Sequence, residues 1–110
     1  MSPYYWPNIP YHSLTHYYKA FLPMAYSTMR GIHSRGGTLT FLASTVEAIR
    51  TASARPRFPI HVIGGLSGSM GRKETAGFLQ AVARTRPFGY SLYAFGQTTP
   101  AVWRALARFS

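Results

Sequence analysis

The chain has 110 residues, of which 46% are apolar and 15% aromatic, a content that excludes a disordered polymer and suits a single domain. Twelve Lys and Arg face two acids, Glu47 and Glu74, for a net charge of +10, so polyanions are favoured as nonspecific partners. Cysteine is absent, which excludes disulfides, thiolate metal sites and a cysteine nucleophile, and no apolar run is long enough to cross a membrane.

Residues 1–18, "MSPYYWPNIPYHSLTHYY", form an aromatic N-terminal segment without the basic start and continuous apolar stretch of a signal peptide. A short helix is expected around residues 13–18. "KAFLPMAYS" (19–27) is a strand-length apolar run, and "MRGIHSRGG" (29–37) reads as a polar loop. In "TLTFLASTVEAIRTASA" (38–54), Leu39, Leu42, Val46 and Ile49 recur at helical spacing. "RPRFP" ends that helix, and "PIHVIGG" (59–65) is the second strand. "RKETAGFLQAVARTR" (72–86) is the second helix, with Phe78, Leu79 and Val82 as its buried stripe. "YSLYAF" (90–95) is the third strand. Thr99 is a candidate N-cap with Pro100 at the first helical position, and the last helix carries Val102, Trp103, Leu106 and Phe109.

Residues 19–110 therefore comprise three strand–helix units of an α/β protein, with no low-complexity linker between them. Strands alternating with helices imply right-handed crossovers and a parallel sheet. Three such strands covered on one side leave both edges open and one apolar face bare, so the unit is expected to be part of a larger closed object.

"WPNIPYHSLTHYYKAFLPMAY", "FPIHVIGGLSG" and "GYSLYAFGQTTPAVWRAL" resemble the last three strand–helix units of a (β/α)8 barrel of glycoside-hydrolase type. The shared features are Pro-Met-x-Tyr on a late strand (Pro23–Tyr26), a Gly-Gly strand end (Gly64, Gly65), and Gly-x-Ser-hydrophobic-aromatic (Gly89–Tyr93) before a helix beginning near Pro100 and Trp103. The resemblance runs over about residues 6–109. It implies half of a TIM barrel, from the sixth strand to the eighth helix, with the first four or five units outside this sequence. The chain departs from the family pattern at Ala94, where relatives commonly carry Asp, and at Ser27, where some chitinase-like barrels have an acid.

Barrel enzymes place their chemistry at the C-terminal ends of the strands. The two-residue strand period groups Leu22, Met24 and Tyr26, and likewise Ser91, Tyr93 and Phe95. Pointing inward, Tyr26 and Tyr93, with Met24 and Ser91, would contact a carbohydrate at the barrel mouth; the alternative is that they fill barrel layers. Glycoside hydrolysis uses two carboxyl groups. Glu47 lies mid-helix with Arg50 three residues on, and Glu74 lies in a first helical turn, where an acid suits the macrodipole. No catalytic residue is assigned, and independent catalysis is not expected.

"GGLSGSMGRKET" fails the phosphate-loop spacing at Ser67 and Arg72, and fails the dinucleotide pattern at Leu66. What remains is a generic anion site at a helix start, Ser69, Gly71, Arg72 and Lys73, or simply a flexible turn. His12, His16, His33 and His61 lack the acids that support a metal site, so no metal or cofactor is expected. Arg50, Arg55 and Arg57, then Arg84 and Arg86, then Arg104 and Arg108 fall at helix C-termini, where cations complement the dipole. In a barrel they would share the bottom face. The functional expectation is a fragment or subunit of a glycoside-hydrolase-like barrel, completed by its other half or by a second copy. The alternative is a small basic protein that binds nucleic acid through Arg and exposed aromatics.

Overall fold

The computed structural model describes residues 9–109, so Trp6 and the rest of the first eight residues of the aromatic segment lie outside it. The described part is mixed α/β. Helix α1 spans Tyr11–Leu14, strand β1 Met24–Ala25, helix α2 Arg35–Ser53, strand β2 His61–Leu66, helix α3 Arg72–Thr85, strand β3 Gly89–Tyr93 and helix α4 Pro100–Phe109. The strands form one parallel sheet in the order β1-β2-β3, as sequential strand–helix units require.

The expected first strand, 19–27, is much shorter than its apolar run. Phe21 bridges Ile60 and donates to the Pro59 carbonyl at 3.0 Å, and the Pro23 carbonyl accepts from the Ile63 amide at 3.0 Å. Between these bonds the ladder calls for an N–H at residue 23, and proline has none. The pairing thus runs from Phe21 to Ala25 with one rung absent, and only Met24–Ala25 remains regular.

Helix α2 begins three residues earlier than its apolar periodicity implies. Ser34 is its N-cap, and its hydroxyl accepts the Gly37 amide at 3.0 Å, which offsets the poor helix propensity of Gly36 and Gly37. Helix α1 starts two residues before the expected segment and stops at Leu14, beyond which Tyr17 and Tyr18 are largely exposed. At the other end the Thr99 cap is present: its hydroxyl accepts the Val102 amide at 3.4 Å, and Pro100 opens α4.

The core lies between the sheet and the three long helices. Leu42, Val46 and Ile49 from α2, Phe78 and Val82 from α3, Val62 from β2 and Val102 from α4 are all buried. Phe78 is wholly enclosed, and burial of such a ring contributes about 2–3 kcal/mol. It fits because position 64 has no side chain: a Cβ on Gly64 would lie 2.1 Å from the Phe78 ring. Helices α2 and α3 approach equally closely at Gly77, where a Cβ would lie 2.3 Å from the Arg35 carbonyl oxygen. Tyr90 on β3 meets Phe78 edge-on at 6.0 Å and Phe109 of α4 at 5.8 Å.

Among the described residues, the opposite sheet face is bare. Leu22 is 56% exposed, Met24 71% and Tyr93 55%. No described helix covers them.

Candidate functional site

The C-terminal ends of the strands carry the most organised polar chemistry in the molecule. Past β1 the chain enters a 3-10 turn, Ser27–Arg30, and reverses at Gly31, whose φ of 70° suits a residue without a Cβ. The Ile32 amide then returns to the Ser27 carbonyl at 3.0 Å. This hairpin-like loop closes over Glu74 in the first turn of α3. The Glu74 side chain is 0% exposed. Ser27 Oγ donates to Oε2 at 2.7 Å, Thr28 Oγ1 donates to the same oxygen, and His33 Nδ1 donates to Oε1 at 3.1 Å. A buried carboxylate is costly unless so satisfied, and the amide end of α3 adds a favourable dipole. Glu74 is in the first helical turn, as the sequence implies, but its side chain points into the protein.

That inward orientation had a signal in the sequence. Glu74 precedes Phe78 and Val82 at successive four-residue steps, so it lies on the same stripe as two core residues. Its partners, Ser27 and Thr28, come from another unit and carry no such signal. Ser67 is the second residue missed. It is fully buried, and its hydroxyl donates to the carbonyls of Tyr93 and Ala94, both at 3.1 Å, and lies 2.7 Å from Thr98 Oγ1. Ser67 thereby fixes the end of β3 to the end of β2.

The four residues expected at a carbohydrate site fall on the bare side of the sheet. Tyr26 and Tyr93 are brought together across the Gly-Gly end of β2, with ring centroids 6.4 Å apart and planes inclined by 33°. Met24 and Tyr26 line a groove of about 600 Å³ along the outer edge of β1, walled by Phe41 and Ile49 of α2. Ser91 lies apart from that groove, with its hydroxyl 3.1 Å from His61 Nε2. Phe95, expected to extend the β3 face, falls in a 3-10 turn, Phe95–Gln97, beyond the strand.

Ser69, Gly71, Arg72 and Lys73 are exposed at the start of α3, where Gly71 is the N-cap and offers no capping side chain. Glu47 is exposed on α2, 3.4 Å from Arg50 Nη1, while Arg50 Nη2 donates to the Arg86 carbonyl at 3.3 Å. Arg50 and Arg86 thus meet at the C-terminal end of α3, as expected for cations at helix ends. Arg104 and Arg108 do not stay with them: they line a cleft with Arg72 at the start of α3. His12 Nδ1 donates to the Ser53 carbonyl at 2.6 Å and packs edge-on against His16. Among the described residues, no three metal-type ligands gather, and no helix is long and apolar enough to cross a membrane.

Compared with protein-family models, curated proteins and solved structures, the chain matches none. Chemically, the assembled features are a paired-tyrosine surface suited to stacking, a buried carboxylate committed to three donors, and a group of arginines, Arg72, Arg104 and Arg108, without an acid partner among the described residues.

Proposed function

We propose that this chain is the closing three-unit portion of a glycoside-hydrolase-like (β/α)8 barrel, contributing sugar-stacking surface rather than catalytic acids. The observation that carries this reading is the bare sheet face, where Leu22, Met24 and Tyr93 are each more than half exposed between two open parallel edges. In a barrel that face becomes the packed interior and the edges are paired. Tyr26 and Tyr93 would then stand at the C-terminal mouth, at a spacing that lets a sugar ring stack on either. Catalysis belongs to other units, because Glu74 is sequestered and Glu47 sits on the outer surface of α2.

The isolated chain is expected to self-associate through the bare face and edges. Sedimentation at micromolar concentration tests this; a stable, monodisperse monomer with native-like unfolding would refute the reading. A second reading, a basic nucleic-acid-binding protein, is favoured by charge: the only two acids are engaged with Arg50 and with His33, Ser27 and Thr28, leaving a large cationic excess. The two readings differ in how binding responds to salt and to loss of the tyrosines.

A further inference from the structure

We propose that the cleft between α3 and α4 binds a small phosphate monoester, with the phosphate held by Arg72, Arg104 and Arg108 and its organic part resting on an apolar floor. The cleft has a volume of about 340 Å³, and its floor is Met70, Val102 and Ala105. Arg104 and Arg108 are four residues apart on α4 and so project from one face, towards the Arg72 side of α3. Among the described residues, none of the three guanidinium groups makes a hydrogen bond or an ion pair. Three like charges are therefore gathered around one recess with no counter-charge among the described residues. Both acids of the chain are engaged elsewhere.

Three planar guanidinium forks match the oxygens of a phosphate dianion better than a single carboxylate, which one fork would satisfy. The uncapped first amides of α3 beside Gly71 add donors at the same end, a contribution secondary to the arginines. The buried side chains of Met70 and Val102 favour a ligand with an apolar portion over the free ion. A volume near the lower end of the roughly 300–1,000 Å³ seen for ligand sites favours a small molecule over a length of polymer. The proposal stands independently of the barrel reading, since it uses only the helix layer.

Calorimetric titration of the full chain with phenyl phosphate, and separately with inorganic phosphate, tests it at low salt. Phenyl phosphate is expected to bind saturably, one per chain, and more tightly than inorganic phosphate. Arg72→Gln, Arg104→Gln and Arg108→Gln should each weaken it roughly fivefold or more, and Arg104→Lys should weaken it less than Arg104→Gln, since it keeps the charge and loses the fork. Arg84→Gln, at the far end of α3, should leave affinity unchanged. Circular dichroism of each variant establishes that the fold is kept. Absence of saturable binding at millimolar ligand overturns the proposal, as does equal loss in Arg84→Gln, which would mean attraction by net charge alone. A single-stranded oligonucleotide that binds far more tightly and depends on the same three arginines would also overturn it, by making the cleft part of a nucleic-acid surface.

Discussion

Glu74 illustrates how little a single acid in a sequence says about its task. Its position in a first helical turn was legible, and its place on the Phe78–Val82 stripe could have been. Its three donors were not, because Ser27, Thr28 and His33 lie more than forty residues away in sequence and only folding brings them near. The arrangement makes Glu74 a fastener between the loop after β1 and the start of α3. Glu74→Gln keeps the shape but removes the charge and turns one of the two acceptor oxygens into an amide donor, so the charge-assisted bonds from Ser27, Thr28 and His33 are weakened. The expected cost is about 1–3 kcal/mol, read as a lower urea midpoint with unchanged slope. Ser27→Ala removes one donor from an oxygen that Thr28 still serves, so it should cost less. A Glu74→Gln variant as stable as the parent would mean that the carboxylate carries no structural weight, and its burial would need another explanation. Ser67 makes the same point more quietly: in the sequence it only spoils a phosphate-loop match, whereas in the fold it ties β2 to the Tyr93–Thr98 segment.

Elements were more legible than residues because periodicity is local. The order of strands and helices, the parallel pairing and the buried stripes of α2 and α3 all follow from spacing of apolar positions. The boundaries that differ do so for identifiable reasons: a proline removes one rung of β1, and Ser34 extends α2 backwards through two glycines. Those glycines allow a test within one fold of what a helix gains or loses from a methyl group. Gly36 has nothing within 4 Å of the Cβ it would carry, so Gly36→Ala should stabilise by about 0.5–1 kcal/mol through helix propensity. Gly77 is also helical, but its Cβ would press on the Arg35 carbonyl oxygen at 2.3 Å and on Thr38 Cβ at 2.9 Å. Gly77→Ala should therefore destabilise by about 1–3 kcal/mol, because α2 and α3 must separate to admit it. Thermal unfolding of the two variants should shift in opposite directions. Matching shifts would mean that α2 and α3 separate at Gly77 without cost.

At the scale of the molecule, the bare sheet face and the cationic surplus make different demands on a partner, and separate experiments distinguish them. If association runs through the face, Leu22→Gln with Met24→Gln should reduce self-association while leaving the unfolding midpoint of the dissociated chain, at high dilution, nearly unchanged, since both side chains are already exposed. Sedimentation of the double variant beside the parent reads this directly; undiminished association would place the contact elsewhere. The charge asks for a salt titration. Arg50 is engaged at the end of α3, whereas Arg72, Arg104 and Arg108 are gathered in one cleft at its start, so these four cations lie at two separate places. A labelled oligonucleotide should accordingly contact few phosphates at once, bind weakly at low salt and be released at physiological salt. Tyr26→Ala and Tyr93→Ala should hardly change that binding, because the barrel reading assigns both rings to a sugar-facing mouth. A protein built to hold single strands would behave otherwise, since each base stacked on an exposed ring contributes about 1–3 kcal/mol. Binding that persists at physiological salt and falls tenfold or more when either tyrosine is removed, in variants that remain folded, would transfer the paired rings from carbohydrate to nucleic acid and end the barrel reading of this surface.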